Sequence, residues 1–290
     1  MTQTMWHSIS DQISQQINQE FICDDIREIT TGDSHSAYRI TDGHKRFFVK
    51  LNNDDKLANF NAEAEGLMHL AQVNIFKIPK VICCGVQENK SYLVLEYLRL
   101  TPGDESTWFD FGKKLATMHK DHTQNMYGWQ EDNFIGLTPQ YNKWSKKWSQ
   151  FFAEQRIGFM LQLLADQGNK LADIDKVVMT VEKLLHGYSP TPSMLHGDLW
   201  IGNTGFHQGS AAIFDPAFYY GDRETDIAMT ELFNKFPGTF YQGYDSIWPL
   251  DEHFSYRKTV YQLYHILNHA LLFKGNYLQT AKSILNNMQN

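Results

Sequence analysis

The chain has 290 residues, a length that suits two lobes or one large domain at roughly 150 residues per domain. Hydrophobic residues make up 42% and charged residues 20%, ordinary globular usage that excludes wholesale disorder and fibrous repeats. The net charge of −7 removes any broad attraction for nucleic acid or anionic membrane, and no stretch reaches the roughly 20 apolar residues of a membrane helix.

The first segment, MTQTMWHSISDQISQQ, is too polar for a secretory signal. Ile9, Ile13 and Ile17 recur every four residues and predict a helix. From Phe21 to Leu51, short apolar runs broken at Gly32 and Gly43 predict three antiparallel strands. Helical spacing returns over Asp54 to Gln72, followed by strands over Lys80 to Val86 and Ser91 to Leu98. Past Pro102 and Gly103 the pattern is mostly helical, with helices expected over Glu105 to Lys120, Asn142 to Gln167, Ala172 to His186, Glu224 to Phe236 and Glu252 to Lys274. A loop from Asp121 to Tyr141 and a short β-like region from Ser193 to Pro216 interrupt them. The expected fold class is therefore α+β, with a β-rich lobe over 1–98 and a helical lobe over 99–290. Cys23, Cys83 and Cys84 are too few and too oddly spaced for a disulfide framework, and read as reduced thiols in the cytoplasm. No heptad seam marks an interface, so a monomer is the default.

Leu195-His196-Gly197-Asp198-Leu199-Trp200-Ile201-Gly202-Asn203 carries the pattern His-x-Asp-x-x-x-x-Asn, and Asp215 follows at the end of an apolar strand before Pro216. Phosphoryl transfer from ATP needs a carboxylate for the nucleophile's proton, plus an amide oxygen and a second carboxylate for divalent ions. Asp198 suits the first role; Asn203 and Asp215 suit the second, with oxygen donors appropriate to Mg²⁺. Any one of these could be an ordinary turn or strand-end residue. Their joint spacing, in a helical region after a β-rich one, points to a kinase site.

The first lobe supplies matching groups. Phe47-Phe48-Val49-Lys50-Leu51 places a lysine inside an apolar strand, where it needs a partner. Glu63 is the preferred partner and Glu65 the rival, because Glu63 falls four residues before the core position Leu67. The turn containing Gly32, Asp33 and Ser34 is either a phosphate cradle or a plain hairpin turn. In a two-lobed kinase, backbone groups near Glu96 and Leu98 would read the adenine edge; an ordinary buried strand is the other reading, and both can hold together. Trp200 suits either a sugar-packing or a core role, and Trp144 and Trp148, read as one helix face, suit either core or cleft wall. His119 reads as a structural hydrogen-bonder.

With these pieces placed, the chain resembles the protein-kinase-like superfamily, and within it the fructosamine kinases (ketosamine-3-kinases). The resemblance spans about residues 5 to 285. It rests on Leu115-Ala116-Thr117-Met118-His119, Tyr127-Gly128-Trp129, Asn133-Phe134-Ile135-Gly136, Gln140, Asn142, Trp144, Trp148 and Phe151-Phe152 with Arg156. The loop from His196 to Asn203, Asp215-Pro216-Ala217 and Gly221-Asp222-Arg223-Glu224-x-Asp226-Ile227-Ala228 complete it. It implies a two-lobed protein-kinase-like fold with an antiparallel-sheet N-lobe, ATP and Mg²⁺ as cofactors, and a small-molecule or protein-bound ketosamine as acceptor. The implied reaction is phosphorylation of the sugar 3-hydroxyl, which labilises the adduct and frees the amine. By the same resemblance Lys50 holds the α/β phosphates, His196 supports the catalytic loop, and Asp226 accepts its backbone N–H groups. Asp-Pro-Ala in place of Asp-Phe-Gly, with no Ala-Pro-Glu after it, argues against a phosphorylation-gated protein kinase. A kinase for an aminoglycoside or choline, and a nucleotide-binding pseudokinase, are the competing readings.

Overall fold

A computed structural model describes residues 3–29, 35–121 and 124–289; Gly32, Asp33 and Ser34 lie outside the described residues. The chain forms two compact units, Met1–Pro102 with Gly205–Asp215, and Gly103–Thr204 with Pro216–Asn290. Residues 205–215 thus join the first unit, an arrangement that no single cut near 98–104 expresses.

The first unit opens with helix α1 (Gln3–Ile17). Five antiparallel strands follow: β1 (Asp25–Ile29), β2 (Ser36–Thr41), β3 (Arg46–Asn53), β4 (Val81–Gln87) and β5 (Lys90–Glu96), in the order β1-β2-β3-β5-β4. Between β3 and β4 runs α2 (Leu57–Gln72). Side chains on a strand alternate between faces. Phe47, Val49 and Leu51 therefore join Tyr38, Ile40, Tyr92 and Val94 in one cluster against Trp6, Ile9 and Ile13 of α1. Phe48 and Lys50 fall on the opposite face. Strand β5 stops at Glu96, so Leu98 lies beyond the ladder rather than within a strand reaching 98. Strands β9 (Thr204–His207) and β10 (Ser210–Ile213) form a separate hairpin, which joins the unit by bridges from Phe206 to Thr101 and from Ala212 to Lys77. The three cysteines are free, and burial pushes the Cys83 thiol up to about 12 and that of Cys84 up to about 11.

The second unit is mainly helical. Helix α3 (Glu105–His119) starts on a reciprocal cap: the N–H of Thr107 donates to Asp104 Oδ1 at 2.8 Å, and the N–H of Asp104 donates to Thr107 Oγ1 at 2.8 Å. The expected loop over 121–141 contains a small hairpin, β6 (Asn133–Ile135) and β7 (Thr138–Gln140). The helix expected from Asn142 begins only with the short turn α4 (Trp148–Gln150), continues as a π-helical stretch over Phe151–Gly158, and ends as α5 (Phe159–Asp166). Residues 142–147 are extended because Asn142 and Ser145 hydrogen-bond their backbones to Trp129 and Tyr127. Trp144 and Trp148 consequently do not share a helix face. Trp148 is buried and donates to Tyr261 Oη at 3.0 Å, whereas Trp144 lies half-buried against Tyr220.

Next come α6 (Ile174–Leu184), β8 (Ser193–Leu195) and β11 (Tyr219–Gly221), the last two paired antiparallel. Helix α7 (Glu224–Thr230) is shorter than the expected 224–236. The chain turns there and starts α8 (Gly238–Ile247), followed by α9 (Phe254–Phe273) and α10 (Asn276–Gln289). Neither α8 nor α10 is evident from the sequence pattern above. Among the described residues, no helix is long and apolar enough to cross a membrane.

Helices α3 and α8 pack unusually close, and two glycines permit it. A Cβ on Gly112 would lie 1.9 Å from Phe240 O, and one on Gly243 would lie 2.0 Å from Phe109 O. Both neighbours are backbone, so the helices themselves would have to separate. Gly243→Ala is therefore expected to destabilise the protein by about 1–3 kcal/mol, the usual range for overpacking. Gly238→Ala, with nothing within 4 Å of the added carbon, should be neutral or stabilising by up to about 1 kcal/mol. Denaturant midpoints of the two variants check the contrast.

Candidate active site

In the first unit, Lys50 is almost fully buried. Strand β3 pairs it with Ala37 and Leu93, so its stem is enclosed by apolar neighbours. Its ammonium donates to Glu63 Oε1 of α2 at 2.7 Å and to Asp215 Oδ1. Glu63, not Glu65, is the partner. Burial alone would lower the Lys50 pKa, but Asp215 and Glu63 outweigh it and hold the ammonium above its ordinary value. Burial raises the Glu63 carboxyl, with the Lys50 charge opposing and the Asp215 charge adding. Burial acts the same way on Asp215, but Lys50 prevails and keeps it below the usual carboxylate range. Asp215 also sits at φ 56°, in the left-handed region. Asp tolerates that region better than most residues. The turn aims its carboxylate back at the sheet as the strand ends.

Glu96 holds Lys77 Nζ with both oxygens at 2.8 Å and accepts the Lys80 N–H at 3.2 Å. Its own N–H donates to Lys80 O at 2.8 Å, so the end of β5 is fixed by side chain and backbone together.

In the second unit, the loop carrying Asp198 is held from beneath. Asp226, buried on α7, accepts the N–H of His196 at 2.8 Å on Oδ2 and that of Gly197 at 2.9 Å on Oδ1. Burial would raise its pKa, but the bonds from His119 and the loop lower it overall. Burial also depresses His119 despite Asp226, so the imidazole is neutral and its 3.2 Å contact is a hydrogen bond rather than an ion pair. Since a carboxylate only accepts, Nε2 carries the proton and Nδ1 accepts from Tyr244 Oη at 2.8 Å. Arg223 donates to the same hydroxyl at 3.2 Å. Gly197 is required twice over: φ is +82°, and a Cβ would lie 1.9 Å from Ala217 O.

On that loop the N–H of Asp198 approaches His196 Nδ1 at 3.3 Å. Asn203 donates its amide nitrogen to Asp198 O at 2.9 Å and to Oδ2 at 3.1 Å. That directs the Asn203 amide oxygen away from Asp198. Asn203 in the second unit and Asp215 in the first each carry a hard oxygen donor, the ligand type that suits Mg²⁺. Among the described residues no three His, Cys, Asp or Glu side chains converge as a metal-binding group. An ion that retains water and binds substrate phosphates needs only one or two protein ligands. Trp200 is half-buried: its ring folds over Gly202, where a Cβ would lie 2.4 Å from it, and stands edge-to-face with Phe233 at 6.2 Å.

The segment following Asp215 is clamped by a buried amide network. Asn133 Nδ2 donates to Phe218 O at 2.6 Å, and Gln140 Nε2 donates to Ala217 O at 3.2 Å and to Asn133 Oδ1 at 2.8 Å. Tyr264 Oη donates to Gln140 Oε1 at 2.7 Å, and Arg156 donates to Asn142 Oδ1 at 2.7 Å. Asn133, Gln140, Asn142 and Arg156 are among the residues that carry the sequence resemblance, and their hydrogen bonds support this segment. Gly197, Tyr244 and Arg223 were missed as parts of the site. The x of His-x-Asp is conventionally read as free, and a helix holding two glycines gives little pattern to follow.

An antiparallel sheet with a buried Lys–Glu pair, together with a helical unit bearing His-x-Asp-x-x-x-x-Asn, defines a protein-kinase-like phosphotransferase fold. Consistent with that, the aminoglycoside phosphotransferase APH(4)-Ia, in a complex with AMP-PNP and hygromycin B, superposes with a TM-score of 0.64 over 97% of this chain and 98% of its own at 14% identity. A fructosamine kinase family model matches residues 5–290, and the chain belongs to that family. A Vibrio parahaemolyticus protein named "Probable ketoamine kinase" is 44% identical over 97% of this chain and 98% of its own. The crystal structure of a candidate fructosamine-3-kinase from Haemophilus somnus is similar over 99% of both chains, at 34% identity and a TM-score of 0.95.

Because the folded pKa of Asp226 lies below its unfolded value of about 3.9, its stabilisation is complete above that value and is lost as pH falls through the folded one. Asp226→Asn is expected to cost about 2–4 kcal/mol at neutral pH, since it turns an amide toward backbone donors. It should also flatten the loss of stability below about pH 4. Urea denaturation across that range checks both, and an unchanged acid slope would contradict the role.

Proposed function

We propose that this chain is an ATP-dependent kinase that phosphorylates the 3-hydroxyl of ketosamines, the sugar adducts of amines, whether free or protein-bound. The observation that carries the reading is the loop around Asp198, a partly exposed carboxylate on a backbone fixed from below by Asp226. Family membership supplies the acceptor class. The 3-phosphate is labile, so the adduct decomposes and the amine is released, a deglycation repair that we place in the cytoplasm, carried out by a monomer.

In this reading Asp198 accepts the hydroxyl proton while aligning the oxygen for in-line attack on the γ-phosphorus. Lys50, held by Glu63, binds the α/β phosphates. The turn at Gly32, Asp33 and Ser34 covers the phosphates, and backbone groups near Glu96 and Leu98 read the adenine edge. Asn203 and Asp215 would hold Mg²⁺, which neutralises phosphate charge when bound. His196 supports the loop, and Trp200 packs against the sugar. With little covalent chemistry to perform, the side chains act by alignment and charge.

The test is ATP consumption with Mg²⁺ over fructosyl-lysine, ribulosyl-lysine, kanamycin, choline and no acceptor, with mass spectrometry of the acceptor. Turnover with the two ketosamines alone is expected. Turnover with kanamycin or choline instead overturns the acceptor. Asp198→Asn should lower kcat by roughly 10²–10⁴-fold while sparing ATP binding.

A further inference from the structure

His35 is a half-buried imidazole of the first unit that the mechanism above does not use. It directly precedes β2, whose Ala37 stands opposite Lys50 of β3. Directly opposed residues share a sheet face, and residues two apart on a strand point the same way. Extended back by one residue, the alternation puts His35 with Ala37 on the face that carries Lys50. The other face is the one packed on α1. His35 keeps part of its surface accessible, so a ligand lying along Lys50 can meet it.

The electrostatic surroundings agree with that placement. Burial lowers the imidazole to about 4, with the Lys50 charge acting the same way and the Asp215 charge opposing. The coupling is mutual, since His35 acts on the Asp215 carboxyl as well. The ring therefore lies close to both ends of the Lys50–Asp215 pair and is uncharged at neutral pH. That corner of the sheet is short of donors for a phosphate chain. The Lys50 ammonium is already shared by two carboxylates. Arg27 and Arg39, which the register puts on the same face, both bond Asp25. Residues 30–36, TTGDSHS, contain no lysine or arginine, and His35 is their one side chain with a nitrogen donor. A neutral imidazole offers one N–H, and an anionic acceptor makes the resulting bond one of the stronger kind.

We infer that His35 is a further nucleotide-contacting residue, which donates its ring N–H to a non-bridging oxygen of the phosphate chain beside Lys50. The inference rests on the ATP-dependent reading above and concerns the nucleotide alone, so it is independent of the acceptor. An uncharged donor suits the position: it adds a bond to the phosphates without adding a second cation to compete with Lys50 for Glu63 and Asp215.

The experiment is calorimetric titration of the full chain with adenosine, ADP and ATP, the last two with Mg²⁺ and all without acceptor. The wild type is compared with His35→Ala and His35→Gln, with thermal melting as the folding control. His35→Ala should weaken ATP and ADP by roughly 10- to 100-fold, the effect of one hydrogen bond to a charged group, and leave adenosine unchanged. His35→Gln, which keeps an N–H donor, should recover part of the loss. His35→Leu, which fills the space without a donor, should behave as His35→Ala does and stands in for it should that variant melt early. Unchanged affinity for ATP and ADP overturns the inference. So does an equal loss for adenosine, or a loss that His35→Gln does not recover at all, since either assigns the ring a purely structural role over Lys50. A wild type that binds none of the three ligands would instead overturn the ATP-dependent reading, and the His35 assignment with it.

Discussion

The carboxylate of Asp226 is enclosed by protein and accepts two successive backbone N–H groups of the loop that bears Asp198. Withdrawing a carboxylate from water costs several kcal/mol, and only good hydrogen-bond geometry offsets it. Here the offset comes from the loop itself and from a neutral His119. The dependence runs further. His119 ends α3, and its other nitrogen is satisfied by Tyr244 of α8. Tyr244 reaches it because Gly112 and Gly243 let the two helices approach at backbone distance. A helix-packing choice far from the chemistry in sequence thereby sets the tautomer of a histidine, the histidine helps keep Asp226 ionised, and Asp226 fixes the loop. Placing the carboxylate beneath the loop leaves Asp198 only partly buried.

In the first unit the governing interaction is one ammonium between two carboxylates. Lys50 lies between Glu63, whose carboxyl burial raises to about 7, and Asp215, which Lys50 holds below the usual carboxylate range. Glu63 and Asp215 are not equivalent. Glu63 comes from a helix packed on the sheet and shares its burial, whereas Asp215 ends a hairpin strand at positive φ and stays about one-third exposed. The first is the more enclosed of the lysine's two partners.

Much of this was legible in the sequence, and what was not has physical causes. Short apolar runs broken by turn residues exposed the strands, and the lysine interrupting Phe47-Phe48-Val49-Leu51 announced a buried ion pair. The spacing from His196 to Asn203 announced the loop. Helix α8 escaped because glycines at 238 and 243 weaken local helix propensity, yet one of them is what tertiary packing demands. The stretch 142–147 read as helix because its aromatic spacing fits, but backbone pairing with Tyr127 and Trp129 overrides it. His265 was passed over inside a plausible amphipathic helix. The signal was present, since His265, Asn268 and His269 are polar residues interrupting the apolar run from Leu263 to Leu272, on one side of the helix.

The fold cannot by itself decide the acceptor, since kinase-like folds serve unrelated alcohols. Choline kinase from Streptococcus pneumoniae shares this architecture with a TM-score of 0.67 at 16% identity. Discrimination has to lie where the hydroxyl is received, and the electrostatics there are informative. A site for a quaternary or polyamine cation gains from carboxylates or an open aromatic cage. Beside Asp198, α9 presents His265, whose Nδ1 lies 3.7 Å from Oδ1 and which burial keeps uncharged. Desolvating a cation against such groups returns little, whereas a hydroxyl exchanges its water bonds for equivalent ones at small cost.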